Sequence, residues 1–237
     1  MNPALIVYFL KERLLSPIRL GLLALFLVIP LVSRVIHPEC DLPGTADVFW
    51  LVLILGAGII GRDLSSGVLQ LLLARPIRRS TYVLSRWTAL GSAAGALGFL
   101  LWALTLLIAV IHGSELPALR EILFNLIELQ FAAFGVAAVL VFFSSCLGGF
   151  GDLALFLVGG MVISLLGMVG RWRHIPVLLV LAKHLFISLM PHLELAPLFK
   201  GEHDALVLLV SWISTVTLSL ALAIVLMNRK EFSYASG

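Results

Sequence analysis

The sequence predicts an all-α, polytopic membrane protein with six transmembrane helices, an N-terminal amphipathic helix and short external re-entrant helices. Three observations predict it. Hydrophobic residues make up 61% of the chain and charged residues 12%, against about 45–50% and about 25% in a soluble domain. Mean hydropathy is +1.11. Six apolar runs approach or exceed the roughly 20 residues that cross a bilayer. They fill residues 1–237 as a single transmembrane domain and leave no room for a soluble catalytic domain.

Residues 3–16 come first. Leu5, Ile6, Phe9, Leu10 and Leu14 are spaced to face lipid, with Lys11, Glu12 and Arg13 turned to water, the pattern of an interfacial amphipathic helix. An early extension of the first span is the rival reading. Those charges also break the apolar run that a signal peptide requires. Ser16-Pro17 marks a break, and span 1 follows at about 19–36 with Pro30 inside it. Pro30 is expected to kink the helix. The loop 37–47 carries Glu39, Asp41 and Asp47 and no Lys or Arg. Span 2, about 48–64, is short. Its Gly56, Gly58 and Gly61 permit close helix contact.

Span 3, about 88–111, opens on the small residues Gly91, Ser92, Ala93, Ala94, Gly95 and Gly98, a packing face. The turn at 112–117 leads to a short surface helix at 118–122 and to span 4 at about 123–143. Glu128 and Gln130 lie near its start, Glu128 either reaching the interface or lining a path or gate. A Ser/Gly-rich turn at 144–152 precedes span 5, about 153–169. Segment 171–204 follows. Its apolar part, 177–190, is short for a full crossing. It reads as a re-entrant or surface helix, with a tilted seventh span as the alternative. Span 6 covers about 205–227.

Six spans put both ends on one side. That side carries Lys11, Arg13, Arg19, Arg62, Arg75, Arg78, Arg79, Arg86, Arg229 and Lys230, while Arg171, Arg173, Lys183 and Lys200 lie on the other. The positive-inside rule places the ends in the cytoplasm. A seventh span would send Arg229 and Lys230 outside. Cys40 and Cys146 fall on opposite sides of this topology, against a disulfide within the chain.

Several chemistries are excluded. The external histidines and acids form no His-Glu-x-x-His pair, so no metal site is expected. Ser144 and Ser145 lack a nucleophile elbow and a histidine on their side. No Gly-Lys-Ser/Thr occurs, so the chain holds no P-loop. No basic face is free of membrane to bind nucleic acid, and no catalytic residue set emerges. The tryptophans mostly map near span ends, as an aromatic belt would.

The polar island from Gly61 to Tyr82, extending to Arg86, stands apart. Arg62 and Asp63 end a span, Ser65, Ser66 and Gly67 loosen or cap it, and Arg75-Pro76-Ile77-Arg78-Arg79 breaks the chain. Anchoring to anionic lipid accounts for its arginines. It does not account for the leucines 69–73 beside them, which fit a protein contact. Asp63, Gly67-Val68-Leu69, Leu71 and Leu72 with Leu73, and Arg75-Pro76-Ile77-Arg78-Arg79-Ser80-Thr81-Tyr82 resemble the signature region of the ABC-2 type transporter permease family. Lys11-Glu12 resembles the pair on that family's opening helix. Val68 departs mildly from the pattern, and the specific motifs cover about 30 residues.

The resemblance implies a membrane permease subunit of an ATP-driven exporter in a bacterial or archaeal cytoplasmic (inner) membrane. Residues 62–86 would form a cytoplasmic coupling region, and two copies of the chain would meet across a central path. Two copies of a separate ATPase subunit would dock there and carry the ATP and Mg. This chain would bind no cofactor itself. Arg62, Asp63, Gly67, Leu69, Leu71, Leu72, Arg75, Pro76, Arg78, Arg79 and Tyr82 would serve coupling, with Lys11 and Glu12 on the interface helix. Segment 171–204 would resemble the family's external gate, with Trp172 and Pro176 flanking its first helix. The short loop after span 1 argues against relatives with a large extracellular domain. The other open reading is a membrane scaffold or assembly protein that recruits a cytoplasmic partner without transport. A lipid-like, peptide or hydrophobic cargo fits an apolar path, although a lipid-facing exterior has the same composition.

Overall fold

The computed structural model describes residues 3–36, 42–66, 78–195, 199 and 203–229. Among the described residues the secondary structure is helical: α1 (Pro3–Leu14), α2 (Pro17–Ile36), α3 (Thr45–Gly56), α4 (Gly61–Ser65), α5 (Arg79–His112), α6 (Leu119–Cys146), α7 (Gly151–Trp172), α8 (Pro176–Leu189) and α9 (His203–Arg229). Six segments, α2, α3 with α4, α5, α6, α7 and most of α9, are long and apolar enough to cross a membrane. Basal end here means the end holding α1, α4, the 147–150 turn and the C-terminus of α9.

Core and periphery are divided unequally. Val48, Leu51, Val52, Leu53 and Leu55 of α3 pack with Ala133, Val136, Ala137, Ala138, Leu140 and Val141 of α6 and Val83, Ala89, Leu90 and Ala94 of α5. Small residues let these backbones approach. In lipid such packing drives association, because the hydrophobic effect between helices is nearly absent. By contrast α2 and α7 leave most of their apolar side chains exposed, as lipid-facing helices do.

Several boundaries differ from expectation. Helix α5 begins at Arg79, so residues 79–86 of the island are its first turns. At 34 residues it measures about 51 Å, well beyond the roughly 30 Å hydrocarbon layer. Residues 119–122 open α6 and form no separate surface helix. As expected, Pro30 lies inside α2. The indole N–H groups of Trp87 and Trp212 donate to the carbonyls of Phe134 (2.9 Å) and Phe131 (3.0 Å) on α6. Each joins a neighbouring helix, α5 or α9, to α6.

Helix α8 folds back along α7. Gly170 approaches Leu178 and Leu179, Gly167 approaches Ala182, and Gly159 approaches Leu189, an antiparallel order. The chain then reverses along α6. Pro191 lies against Gly135, and the Leu195 N–H donates to the Glu128 carboxylate. Glu128 thereby holds the returning segment in place. Pro176 occupies the first turn of α8, where its missing N–H costs nothing. Trp172 is exposed, with the Arg173 guanidinium 4.9 Å from its ring.

Candidate functional site

The second span is broken at its basal end. Residues Ala57–Ile60 leave the helical path between α3 and α4, with Gly58 at φ +67°. That left-handed conformation suits glycine because no Cβ meets the backbone. A break of this kind exposes N–H and C=O groups, and at membrane depth each must find a protein partner. Here most of the partners are side chains delivered by other helices.

The carbonyls are served by arginines. Arg13 of α1 donates from Nη1 to the Ala57 oxygen (2.7 Å) and from Nη2 to the Gly58 oxygen (2.8 Å). Arg19 of α2 adds a longer contact to the Ala57 oxygen at 3.4 Å. The N–H groups are served by oxygens from the other side. The Asp152 carboxylate, at the start of α7, accepts from Gly58 N–H at 2.8 and 3.1 Å. It also accepts from Leu153 N–H at 2.8 Å. Ser144 Oγ, near the end of α6, accepts from both Ile60 and Gly61 N–H at 2.9 Å. Finally, Gly149 N–H donates to the Gly61 carbonyl at 2.8 Å. Ser144 and Asp152 are fully buried.

Arg13 was expected in water, but it is 2% exposed. A guanidinium has several donors in a rigid plane, so one side chain spans two adjacent orphan carbonyls. Burial pulls its pKa down to about 10, which still leaves it charged at neutral pH. Phe9, expected against lipid, is likewise buried. It lies between the guanidiniums of Arg13 and Arg86, with centroid distances of 5.2 and 4.6 Å, a geometry that favours cations over the ring face.

One turn beyond the break, Asp63 of α4 meets α5. Its carboxylate accepts from the Tyr82 hydroxyl at 2.6 Å and pairs with Arg86. All three residues are buried. Asp63 and Tyr82 belong to the motif residues singled out above, whereas Arg86 entered only as one more island charge. The structure joins the three across 19 and 23 residues of sequence. A cleft of about 500 Å³ opens beside them, lined by Tyr8, Glu12, Arg62, Asp63, Ser65, Ser66 and Arg86 with Gly149 and Phe150.

The other predicted residues fall in different places. Arg62, Lys11, Glu12 and Arg78 are exposed at the basal end. Arg79 donates to the carbonyls of Met227 (2.6 Å) and Asn228 (3.0 Å), closing the C-terminus of α9. Gly67, Leu69, Leu71, Leu72, Arg75 and Pro76 lie outside the described residues. Glu128, Trp172 and Pro176 sit with the α7–α8 region, away from the break. Among the described residues no three His, Cys, Asp or Glu side chains gather to hold a metal. Comparison with protein-family models, with curated proteins and with solved structures found no match.

The arrangement is suited to mechanical linkage. A displacement of α4 pulls on Ser144 of α6, on Gly149, and on Asp63's partners in α5. A displacement of the break itself pulls on Arg13, Arg19 and Asp152. Sequence reasoning missed Arg13, Arg19, Arg86, Ser144 and Asp152 as a set. The available signal was polar residues near span ends, with Ser144 and Asp152 beside the glycines of the 148–151 turn.

Proposed function

We propose that this chain is the membrane permease subunit of an ATP-driven exporter, powered by a separate ATPase docking on the basal, cytoplasmic end. The observation that carries the reading is the clamp on residues 57–66. It ties the segment leading into the island to α1, α2, α5, α6 and α7. A push on the island is thereby distributed to most of the bundle. The motif resemblance and the lack of a P-loop support it from the sequence. So does the excess of Lys and Arg at that end. On this reading two copies of the chain and two ATPase subunits assemble. The partner's ATP-bound state must bind the two permease conformations unequally, or nothing shifts. Helix α8 and its return along α6 re-enter the membrane from the opposite side and form a gate.

Arg78 is the cleaner probe of docking, because it is exposed while Arg79 holds the end of α9. The tagged chain is purified from its own host, and Mg-ATP hydrolysis in the eluate is measured. The expected result is co-purifying ATPase activity that Arg78→Glu lowers at least fivefold, equivalent to about 1 kcal/mol of charge contact. Undiminished activity with Arg78→Glu removes Arg78 from the contact. No ATPase with the unaltered chain overturns the permease reading in favour of the scaffold.

A further inference from the structure

A second cleft, of about 530 Å³, lies between α2, α3 and α7 on the outer face of the bundle. Its wall is apolar: Leu22, Phe26, Trp50, Leu53, Ile54 and Leu157. Its basal rim is cationic, formed by Arg19 and Arg62 beside Ser16. From Arg19 to Phe26 along α2 it extends roughly 10 Å into the span.

The rim lacks a direct counter-ion. Neither Arg19 nor Arg62 forms an ion pair among the described residues. The Arg19 contact to the Ala57 oxygen, at 3.4 Å, is long, and that oxygen already accepts from Arg13 at 2.7 Å. Arg62 rests over the Phe150 ring at 5.5 Å. Glu12 is an acid whose charge reaches Arg19, but it lines the neighbouring cleft and not this one. The buried Arg19 guanidinium at the edge of an apolar groove calls for an anion, because a buried cation is costly without one; the exposed Arg62 beside it adds a second set of the paired N–H donors through which arginine binds phosphate. The groove beneath accounts for a tail: it is open toward the lipid-facing sides of α2 and α7, where Ile18, Leu22 and Leu157 are exposed.

We propose that this cleft binds an anionic phospholipid of the basal leaflet, its phosphate held by Arg19 and Arg62 and one acyl chain lying along Leu22, Phe26, Trp50 and Leu157. The site does not depend on ATPase docking, so it stands or falls separately from the reading above. Lipid held there packs against the helix carrying the break at Ala57, and anionic lipid content would bear on how readily that break moves.

The test uses the full chain in phosphatidylcholine nanodiscs containing photoactivatable phosphatidylglycerol, with labelled residues mapped by mass spectrometry. Phosphatidylglycerol should label residues 18–26 and 150–157 about tenfold more than a matched phosphatidylcholine probe, the worth of one charge-assisted contact. Arg62→Gln should remove most of that preference. Leu157→Trp, which fills the apolar part from an exposed position, should suppress labelling by both probes. Thermal unfolding of each variant verifies that the fold is kept. Equal labelling by the two lipids, or labelling indifferent to both variants, overturns the proposal. Displacement of the label by millimolar inorganic phosphate would instead assign a soluble-anion site and also overturn it. Loss of label on forming a cross-linked dimer would show a second copy seated over the cleft, with the same consequence.

Discussion

Ser144→Ala isolates the clamp most cleanly. One hydroxyl oxygen accepts from two backbone N–H groups, those of Ile60 and Gly61, each at 2.9 Å. Alanine removes that oxygen with little change in volume, and the fully buried position offers no water in exchange. An orphaned buried donor costs about 1–3 kcal/mol. Interhelical hydrogen bonds measured in bilayers run lower, about 0.6–1.7 kcal/mol each. Two orphans therefore place the loss at about 2–4 kcal/mol. At roughly 2–4 °C per kcal/mol for a chain of this size, the melting temperature should fall by about 5–15 °C. The assay is thermal unfolding in detergent followed by tryptophan fluorescence. Ser92→Ala is the control: that exposed hydroxyl only donates back to the Ala89 carbonyl of its own helix. A Ser144→Ala shift no larger than the Ser92→Ala shift would refute the argument that this oxygen satisfies the broken span.

Further outcomes follow from the same geometry. Asp63→Asn keeps an acceptor for Tyr82 but leaves the buried Arg86 guanidinium without its counter-ion. It should cost about 3–5 kcal/mol, and Asp63→Asn with Arg86→Met should recover much of that in the same unfolding assay. In Gly61→Ala the new methyl would stand 2.5 Å from the Gly149 oxygen and 2.8 Å from the Leu147 oxygen. Both are backbone atoms that cannot swing away, so a loss of about 1–3 kcal/mol is expected. Gly160→Ala, with nothing within 4 Å of the new methyl, should be neutral or stabilising by up to about 1 kcal/mol. Equal effects at the two glycines in denaturant titrations would refute close backbone contact at Gly61.

Parts of the site were legible in the sequence and parts were not. Asp63 and Tyr82 stood out because a charged, leucine-bearing stretch interrupts oily runs, and a motif resemblance then singled them out. Arg13 misled. Residues 3–14 carry charge on part of an otherwise apolar helix, and periodicity alone reads that charged part as wet. Its guanidinium instead meets carbonyls 44 and 45 residues away. Ser144 and Asp152 were invisible as partners for a related reason. Their donors lie 84 and 94 residues back in the chain, and a serine or aspartate in a glycine-rich turn also arises from ordinary capping. The α7–α8 hairpin was partly legible, since a mostly apolar segment of 14 residues is too short for a simple crossing of about 30 Å. The return anchored by Glu128 was not, because it depends on a contact with the Leu195 backbone across 67 residues.

What the sequence by itself determined is the helical class, the six apolar spans and the concentration of cations at one end. These are local properties: each span must match its lipid solvent residue by residue, whatever its neighbours are. Only the tertiary structure decided that the second span breaks at Ala57–Ile60 and which side chains repair it. Backbone groups freed in a membrane have no water to fall back on. Their partners must come from whichever helices the fold brings alongside, and no local pattern records that choice.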